Sequence, residues 1–499
     1  MLVDSTADVE SKLALARQTV DNQYQALLSW LLAPGDPRRL VEVEQGLHPR
    51  LLKLGAALLA LWLAHRRPRT VERQLRGPDG RWRRHQRVGK TTVKTLFGKV
   101  ALWRSVYVCG KQKATSWAPL DDELGLMKTG FSLHLIGLAT YLCSKMAFAE
   151  TVQTLKQCGY YAPSTKSLQT MVDQVAPLAR SFIDELPPPE DDGEILVIEV
   201  DGRGAPMISD SELALRKKKQ GKREKRKDKS ARKRRKQAPK ERRAKGEKSK
   251  NAKVAMVGAV YTLHKTADGI ECPINKRIYA TFRKTEELFR WVHAEAVKRG
   301  YGQKRTLFLA DGAHGLWRLQ EKYFPLAEVC VDWYHVSEKL WAVATTLHEE
   351  GSDELKQWVQ AQLDDLHEGR IEELIVRLDD HAEELRGNKK TRMTQCIKYL
   401  AYHAHRLRYA QQRAEQLPIS TGIIEGAVRQ LVAMRLDGPG MRWSPARAEH
   451  VLQLRAMVIN GLWESFMAHV IEQAHTVGLS KQRPKGLGAT HNAKRKARA

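Results

Sequence analysis

The chain has 499 residues, 28% of them charged, and a formal net charge of +28 at pH 7. This length exceeds what one hydrophobic core usually supports, so we expect roughly two to four domains. The excess of positive charge predicts a polyanionic partner, most simply nucleic acid, and the six scattered cysteines, with no CxxC pair, argue against a disulfide framework or a zinc ribbon.

The N-terminal segment lacks the basic and apolar regions of a signal peptide. The longest apolar run, 54–64, is too short to span a bilayer and predicts a buried helix. We therefore expect a cytoplasmic protein without a membrane partner.

The first part of the chain divides into three predicted regions. Residues 1–68 have Leu, Ala and Val at helical spacing, which predicts a helical N-terminal region. Residues 69–125 contain a turn signal at 77–80 and a Val- and Thr-rich run, which predict a small β-rich module. Residues 126–186 predict stacked helices, with Ser164 as a cap. The last pattern fits a helix-turn-helix that enters a DNA major groove, and it fits a plain helical hairpin equally well.

A proline-rich linker at 187–193 separates these regions from a segment in which strand and helix patterns alternate. Residues 194–334 predict five strands with intervening helices, hence a mixed sheet flanked by helices. Residues 335–416 predict helices only and are interpreted as an all-α insertion, after which 417–465 return to the sheet domain. Residues 466–499 predict a C-terminal helix and a basic tail.

A strongly basic stretch interrupts the sheet domain at 216–253, where 22 Lys or Arg residues face only 4 Asp or Glu residues. Its few apolar residues predict a disordered insertion, because such a segment cannot bury enough surface to fold alone. We expect it to bind DNA phosphates independently of sequence. The candidate contacts are Lys217, Lys218, Lys219, Arg234, Arg235 and Lys236.

Three acidic residues that lie far apart in sequence occupy positions typical of a phosphoryl-transfer site. Asp201 and Asp311 each follow an apolar run and precede a glycine, as expected of a carboxylate at the end of a buried strand. Glu425 lies in a predicted helix. Together they can hold two Mg²⁺ ions, because this hard cation prefers oxygen ligands. The structural alternative is that each acid ends a strand or caps a helix, and that Glu425 pairs with Arg429 one helical turn later.

Further along the chain, Asp332 competes with Asp311 for the role of second catalytic aspartate. We favour Asp311, because its apolar run is longer and a glycine follows at once. Asp332 and His335 are possible supporting residues. His335 can shuttle protons, contact a phosphate, or cap the next helix and hold Asp332.

A tight turn at 438–443 contains two more candidate DNA contacts, Arg442 and Trp443. An exposed tryptophan beside an arginine can stack on an unpaired base near a DNA end. A buried tryptophan that fixes the turn is the alternative, and the sequence does not separate the two.

Five motifs in this order resemble those of the DDE transposases of bacterial insertion sequences, in the Mutator-like superfamily and particularly its Kra-type branch. The motifs are Val200–Met207, Ala310–Trp317, Val331–His335, Thr421–Gly426 and Gly440–Ser444. The resemblance implies a multidomain protein with an α-helical N-terminal region and an α/β RNase H-like catalytic core that carries an all-α insertion. It also implies that Asp201, Asp311 and Glu425 form the catalytic triad and bind two Mg²⁺ ions, for which Mn²⁺ may substitute.

The function that these observations favour is a DNA transposase that binds transposon ends and catalyses metal-dependent strand cleavage and strand transfer. Its expected partners are double-stranded DNA with terminal inverted repeats, target DNA, and a second copy of the chain in an active dimer. The resemblance implies a bacterial cytoplasm, in association with the nucleoid. An RNase H-like nuclease that cuts without joining and a non-catalytic DNA-binding regulator are the alternatives.

Overall fold

In the computed structural model, the chain forms two compact units, Met1–Leu178 with Trp463–Ala499, and Ala179–Leu462. The structure describes residues 2–4, 6–67, 70–109, 116–126, 130–209, 211–215, 252–267, 269–271, 273–438 and 440–477. Of the basic stretch 216–253, all but the last two residues lie outside the described part. The same is true of the DNA contacts predicted within it and of the basic tail.

The first unit combines small antiparallel sheets with a set of helices. Its strands are β1 (Leu2–Asp4), β2 (Thr70–Glu72), β3 (Gln74–Arg76), β4 (Trp82–Thr95) and β5 (Gly98–Val108). Its helices are α1 (Thr6–Leu31), α2 (Leu40–His65), α3 (Pro119–Glu123), α4 (Leu133–Lys145), α5 (Phe148–Gln157), α6 (Thr165–Val175) and, at the end of the described chain, α18 (Trp463–Val477). The turn predicted at 77–80 lies between β3 and β4, and these strands form one antiparallel sheet with β5.

Helix α2 covers one face of the β4–β5 hairpin, where Leu63 packs with Val93, Val100, Leu102 and Leu120. The helix is longer than the apolar run that predicted it. Only 11% of its most apolar window is buried, so the helix is covered on one side and is not the fully buried helix that we expected. Within the described residues, α2 is the one helix long and apolar enough to cross a membrane, a test that core helices of soluble proteins also pass.

The helix pair predicted near 146–175 is present as α5 and α6. The Ser164 hydroxyl accepts a hydrogen bond from the Ser167 amide at 3.2 Å, which confirms the predicted cap. Helix α6 buries Leu168, Met171 and Val172. Recognition of DNA by this pair stays a prediction.

The second unit is built on a five-stranded mixed sheet with the order β10-β7-β6-β11-β12. Strand β7 is antiparallel to both of its neighbours, whereas β6, β11 and β12 pair in parallel. The strands are β6 (Ile195–Pro206), β7 (Ala252–Leu263), β10 (Ile274–Thr281), β11 (Arg305–Ala310) and β12 (Glu328–Val331), with a short pair formed by β8 (Lys265–Thr266) and β9 (Gly269–Ile270). These are the five long strands predicted from the apolar runs.

Helices follow the sheet strands in the order that the sequence predicts. α7 (Pro177–Glu185) precedes the sheet, and α8 (Thr285–Lys298) and α9 (His314–Tyr323) link its strands. The helical region contains α10 (Trp333–Leu347), α11 (Asp353–Glu368), α12 (Ile371–Glu384), α13 (Gly387–His403) and α14 (Tyr409–Ala414). The chain then forms α15 (Gly422–Val428), a π-helical segment (Arg429–Ala433), α16 (Met434–Leu436) and α17 (Pro445–Ile459). The multidomain protein with mixed helix and sheet that we expected is therefore observed.

A buried arginine ties the linker to the back of the sheet. Arg299, 2% exposed, follows α8 and donates hydrogen bonds to the Asp192 carboxylate, at 2.5 and 3.0 Å. The same guanidinium donates to the carbonyls of Val260 and Asn275, at 2.9 and 2.8 Å. Its charge is thus compensated and its donors are used, as a buried ion requires.

Replacing Arg299 by alanine should lower the free energy of unfolding by about 3 kcal/mol, because Asp192 then keeps only Lys304, at 3.4 Å, as a countercharge and the Val260 and Asn275 carbonyls lose this donor. Chemical denaturation measures this. The matched control is Arg283→Ala, which removes an exposed arginine paired with Glu287 and should cost less than about 1 kcal/mol. Equal losses in the two variants would contradict the role assigned to Arg299.

Candidate functional site

Parallel pairing brings three aspartates to one edge of the sheet. The residue before Asp311 pairs with the residue before Asp201 on β6 and with the residue before Asp332 on β12. The Asp332 amide also donates to the carbonyl of Ala310, at 2.9 Å. Since parallel strands deliver their carboxyl ends to the same edge, the three side chains follow one another along it.

Asp201 and Asp311 are each partly exposed and held by a nearby amide. The Gly202 amide donates to Asp201 Oδ1 at 2.6 Å, and the Ala313 amide donates to Asp311 Oδ1 at 2.9 Å. The carbonyl of Asp311 accepts a hydrogen bond from Trp317 Nε1, at 2.9 Å. The two amides therefore orient the carboxylates of Asp201 and Asp311, and the Trp317 ring holds the backbone of Asp311.

Glu425 approaches the same edge from α15. Burial raises the pKa of its carboxyl, and the negative charges of Asp332 and Asp201 raise it further. Arg429 is not among the charges that perturb Glu425 most, and among the described residues no ion pair joins the two. The ion pair between Glu425 and Arg429, which was the structural alternative for Glu425, is therefore not formed.

The charges of neighbouring acids act on Asp201. Burial raises the pKa of Asp201, and the charges of Asp311 and Asp332 add to the shift. Like charges act on one another in this way only at short range. The shared catalytic role of Asp201, Asp311 and Glu425, with Asp332 beside them, stays a prediction.

The residues fit a divalent cation in charge and in donor type. Carboxylate oxygens are the ligands that Mg²⁺ prefers, and a cation would relieve the repulsion that raises the pKa of Asp201 and Glu425. Among the described residues, no three Asp, Glu, His or Cys side chains stand close enough to hold a metal ion as they are. Sharing one ion would require these carboxylates to draw closer together.

Asp332 differs from its neighbours because the protein itself uses both of its oxygens. Oδ2 accepts from the His335 amide at 2.9 Å and lies 2.7 Å from His335 Nδ1, while Oδ1 accepts from the Thr421 amide at 2.7 Å. Asp332 is fully buried and caps α10. The structural role that we weighed for Asp332 and His335 is thus present, and Asp311 is the freer of the two competing aspartates.

His335 brings a positive charge into the acid cluster. Its hydrogen bond with Asp332 raises the pKa of the imidazole to about 9, and the charges of Asp311 and Asp201 contribute. Burial opposes ionisation of Asp332, but the hydrogen bonds from His335 and Thr421 outweigh it and lower the pKa of that carboxyl. The pair is therefore ionised at neutral pH.

The sequence analysis missed a fifth acid, Glu199, on β6. It is fully buried, and its Oε1 accepts from the Tyr261 hydroxyl at 2.7 Å. Its Oε2 accepts from the Ile424 amide, also at 2.7 Å, in the first turn of the helix that carries Glu425. Burial raises the pKa of Glu199 to about 7. The available signal was an acid inside an otherwise apolar strand, on the same face as Asp201 two residues later.

A tyrosine of the all-α region packs over the glycine that follows Asp311. A Cβ atom at Gly312 would stand only 2.2 Å from the Tyr399 ring, so glycine is required there. The Tyr399 hydroxyl is buried without a hydrogen-bond partner in the described part of the chain. Burial and the charge of Asp311 raise the pKa of this phenol. An unpaired donor beside Asp311 favours a site that a substrate or solvent completes.

A cavity of about 460 Å³ opens beside Asp311. Its wall is mostly apolar, with Met256, Leu316 and Leu319, and Arg318 adds a positive charge. A space of this size next to a carboxylate is large enough for part of a substrate.

The prediction that Trp443 contacts DNA is wrong. Its ring is 7% exposed, and its Nε1 donates to the Leu436 carbonyl at 2.9 Å. Its backbone bonds to Pro206 and Ile208 at the end of β6, which carries the ring into the core instead of toward solvent. Arg442 is 44% exposed beside Glu212 at 3.6 Å, and its contact with DNA stays a prediction.

Comparison with known proteins adds little to this geometry. No family model and no curated protein matches the chain. Among solved structures, the chain is similar to the Drosophila P element transposase strand transfer complex, with 12% identity over 69% of this chain and 84% of that one. The TM-score of 0.23 is too low to carry an argument about fold or function.

Replacing Glu199 tests whether it holds the helix of Glu425. Glu199→Leu should cost about 1–3 kcal/mol of unfolding free energy for each buried donor that it leaves unpaired, at Tyr261 and Ile424. Glu199→Gln should restore both bonds, since an amide can accept from Ile424 and donate to Tyr261. Amide hydrogen exchange at Ile424 reports the difference.

The control for this test is Tyr261→Phe, which removes one donor but leaves the bond to the Ile424 amide. It should keep that amide protected. If the Leu variant also keeps Ile424 protected, Glu199 does not hold the helix.

The Asp332–His335 pair should make stability depend on pH. The folded pKa of His335, about 9, exceeds its ordinary value of 6.5, so the stabilisation is complete below pH 6.5 and is lost as pH rises through 9. Because the pKa of Asp332 is lowered, the stabilisation is also lost in acid, as the pH falls below 3.8, the ordinary pKa of an aspartate. In metal-free buffer, His335→Gln should cost about 1–2 kcal/mol near pH 6 and little above pH 9.

Denaturation of both proteins across this range checks the difference. His134→Gln, which changes an exposed histidine of the other unit, serves as the control and should show no such trend. A loss that is the same at both ends of the range would show that the ion pair does not stabilise the fold.

Proposed function

We propose that this protein is a DNA transposase whose acid cluster cleaves and joins DNA strands. The observation that carries the proposal is that Asp201 and Asp311 follow paired residues of two parallel strands, while the charge of Asp201 also acts on Glu425, which is remote in sequence. Three converging carboxylates of this kind are what two-metal phosphoryl transfer requires.

The topology supports an RNase H-like core, the finer assignment that the family resemblance implies. One antiparallel strand lies second in a sheet whose other strands run in parallel, and Asp201 and Asp311 lie where the parallel pairing of β6 with β11 ends. Helices from 333 onward interrupt this core before the helix of Glu425 returns to it.

The acids and His335 have different roles in the proposed reaction. Asp201 and Asp311 would share a cation between neighbouring strand ends, and Glu425 would complete a second. When bound, two Mg²⁺ ions supply an activated water or 3′-hydroxyl and neutralise the leaving oxygen. Asp332 keeps His335 protonated beside the cluster, where its charge can receive a DNA phosphate.

The charge distribution supports DNA as the substrate. A net charge of +28 draws the chain toward a polyanion, and the basic stretch 216–253 follows the first catalytic strand in sequence. We propose duplex DNA with terminal repeats as the partner, a dimer as the active form, and association with the bacterial nucleoid as the location.

Asp201→Asn, Asp311→Asn and Glu425→Gln should each lower metal-dependent strand cleavage and joining by at least about 100-fold, because each removes a proposed ligand. Thermal unfolding should show that the variants stay folded. The matched control is Asp353→Asn, which changes an exposed acid outside the site and should retain activity.

The DNA substrate separates the three candidate activities. Joining of precleaved ends with free 3′-hydroxyls supports a transposase, whereas cleavage without joining indicates a nuclease. If the wild-type protein binds DNA but neither cuts nor joins it with Mg²⁺ or Mn²⁺, the proposal is refuted in favour of a regulator.

A further inference from the structure

The small sheet of the first unit is unusually basic. Residues 70–108, which include β3, β4 and β5, contain ten Lys or Arg and only two Asp or Glu. A sheet this basic favours contact with a polyanion. Its exposed surfaces differ, however, in how much of that charge is available.

One face of β3 and β4 presents its side chains to solvent. The strand register sets Gln74 opposite Arg84 and Arg76 opposite Trp82, and residues directly opposite each other share a face. All four are exposed, with the Trp82 ring 64% exposed. A large exposed aromatic ring among arginines is typical of a binding surface.

The acids of this sheet do not neutralise that face. Arg83, which alternates to the other side of β4, is 8% exposed and is held by Asp79 at 2.6 and 2.8 Å. Among the described residues, no ion pair involves Arg73, Arg84 or Glu72. The buried arginine is thus compensated and the exposed ones keep their charge.

A cavity of about 370 Å³ lies on this part of the sheet, lined by Arg73, Gln74, Arg84 and His85. His85 Nε2 is buried without a hydrogen-bond partner in the described part of the chain. Every residue that lines the cavity can donate a hydrogen bond, so its complement is a ligand rich in acceptors.

Duplex DNA fits these features better than an anionic membrane. A two-stranded ribbon enters a major groove, where arginine pairs with guanine, glutamine pairs with adenine, and further arginines contact phosphates. Trp82 is the one large apolar side chain on the face, which is too little for insertion into lipid.

We propose that the exposed face of β3 and β4, formed by Gln74, Arg76, Trp82 and Arg84, docks in the major groove of duplex DNA together with Arg73, which lines the adjoining cavity. This inference extends the proposed function, which already requires DNA, by assigning the surface that recognises it. It does not depend on chemistry at the acid cluster.

The test measures binding of the full-length protein to a short random-sequence DNA duplex in EDTA, where cleavage is absent. Arg73→Ala/Arg84→Ala should weaken binding about tenfold or more, and the slope of log K against log salt should fall by about 1 for each arginine that no longer reaches a phosphate. Trp82→Ala should weaken binding without changing the slope, because its ring is uncharged.

The charge-matched control is Lys265→Ala/Lys276→Ala, which removes two exposed lysines from the second unit. It separates this surface from the general effect of lowering the positive charge. Thermal unfolding verifies that each variant is folded, and the absence of metal in EDTA makes this test independent of cleavage at the acid cluster.

Selection from a pool of random duplexes tests base recognition. Gln74→Ala should change the selected sequence, whereas the lysine control should not. The proposal is overturned if Arg73→Ala/Arg84→Ala binds duplex DNA like the lysine control. It is equally overturned if that variant loses binding only to phosphatidylserine vesicles.

Discussion

The parallel register between β6, β11 and β12 is the constraint on which the site depends. Because Ala310 stands level with the residues before Asp201 and Asp332, the three carboxylates must emerge side by side. A shift of one residue in either pairing would turn an aspartate to the opposite face of the sheet. The buried apolar runs that form these strands therefore set the geometry of the acids, although they take no part in the chemistry.

This arrangement costs stability, because the sheet edge gathers like charges where burial already disfavours ionisation. Asp201, Glu199 and Glu425 all have raised pKa values for this reason. His335 is the positively charged residue that acts on these acids, and its hydrogen bond with Asp332 keeps the imidazole protonated. Such a concentration of perturbed groups is more typical of functional sites than of structural ones. Binding of a cation would supply the compensation that the protein itself supplies only in part.

The sequence predicted the strands well, because they depend on local patterns, whereas the catalytic role of the acids stays a prediction. Asp311 follows the last residue of β11, as the pattern predicted. Strand β6, in contrast, continues through Asp201 to Pro206, and only its parallel pairing with β11 ends before Asp201. The burial of Trp443 and the hydrogen-bond partners of Glu199 could not be predicted, because they depend on residues distant in sequence. Trp443 is buried through its backbone pairing with Pro206. Glu199 accepts a hydrogen bond from the amide of Ile424, which lies 225 residues later in the sequence.

Two backbone hydrogen bonds explain how Glu425 reaches the site after a long helical excursion. The first turn of a helix has amides without intrahelical partners, and here two buried carboxylates accept from that region. Asp332 binds the Thr421 amide and Glu199 binds the Ile424 amide. Because both acids belong to the sheet edge, the start of α15 is located by the strands and not by the helices that precede it. The all-α region can therefore vary in length or orientation without displacing Glu425, provided that these two bonds form.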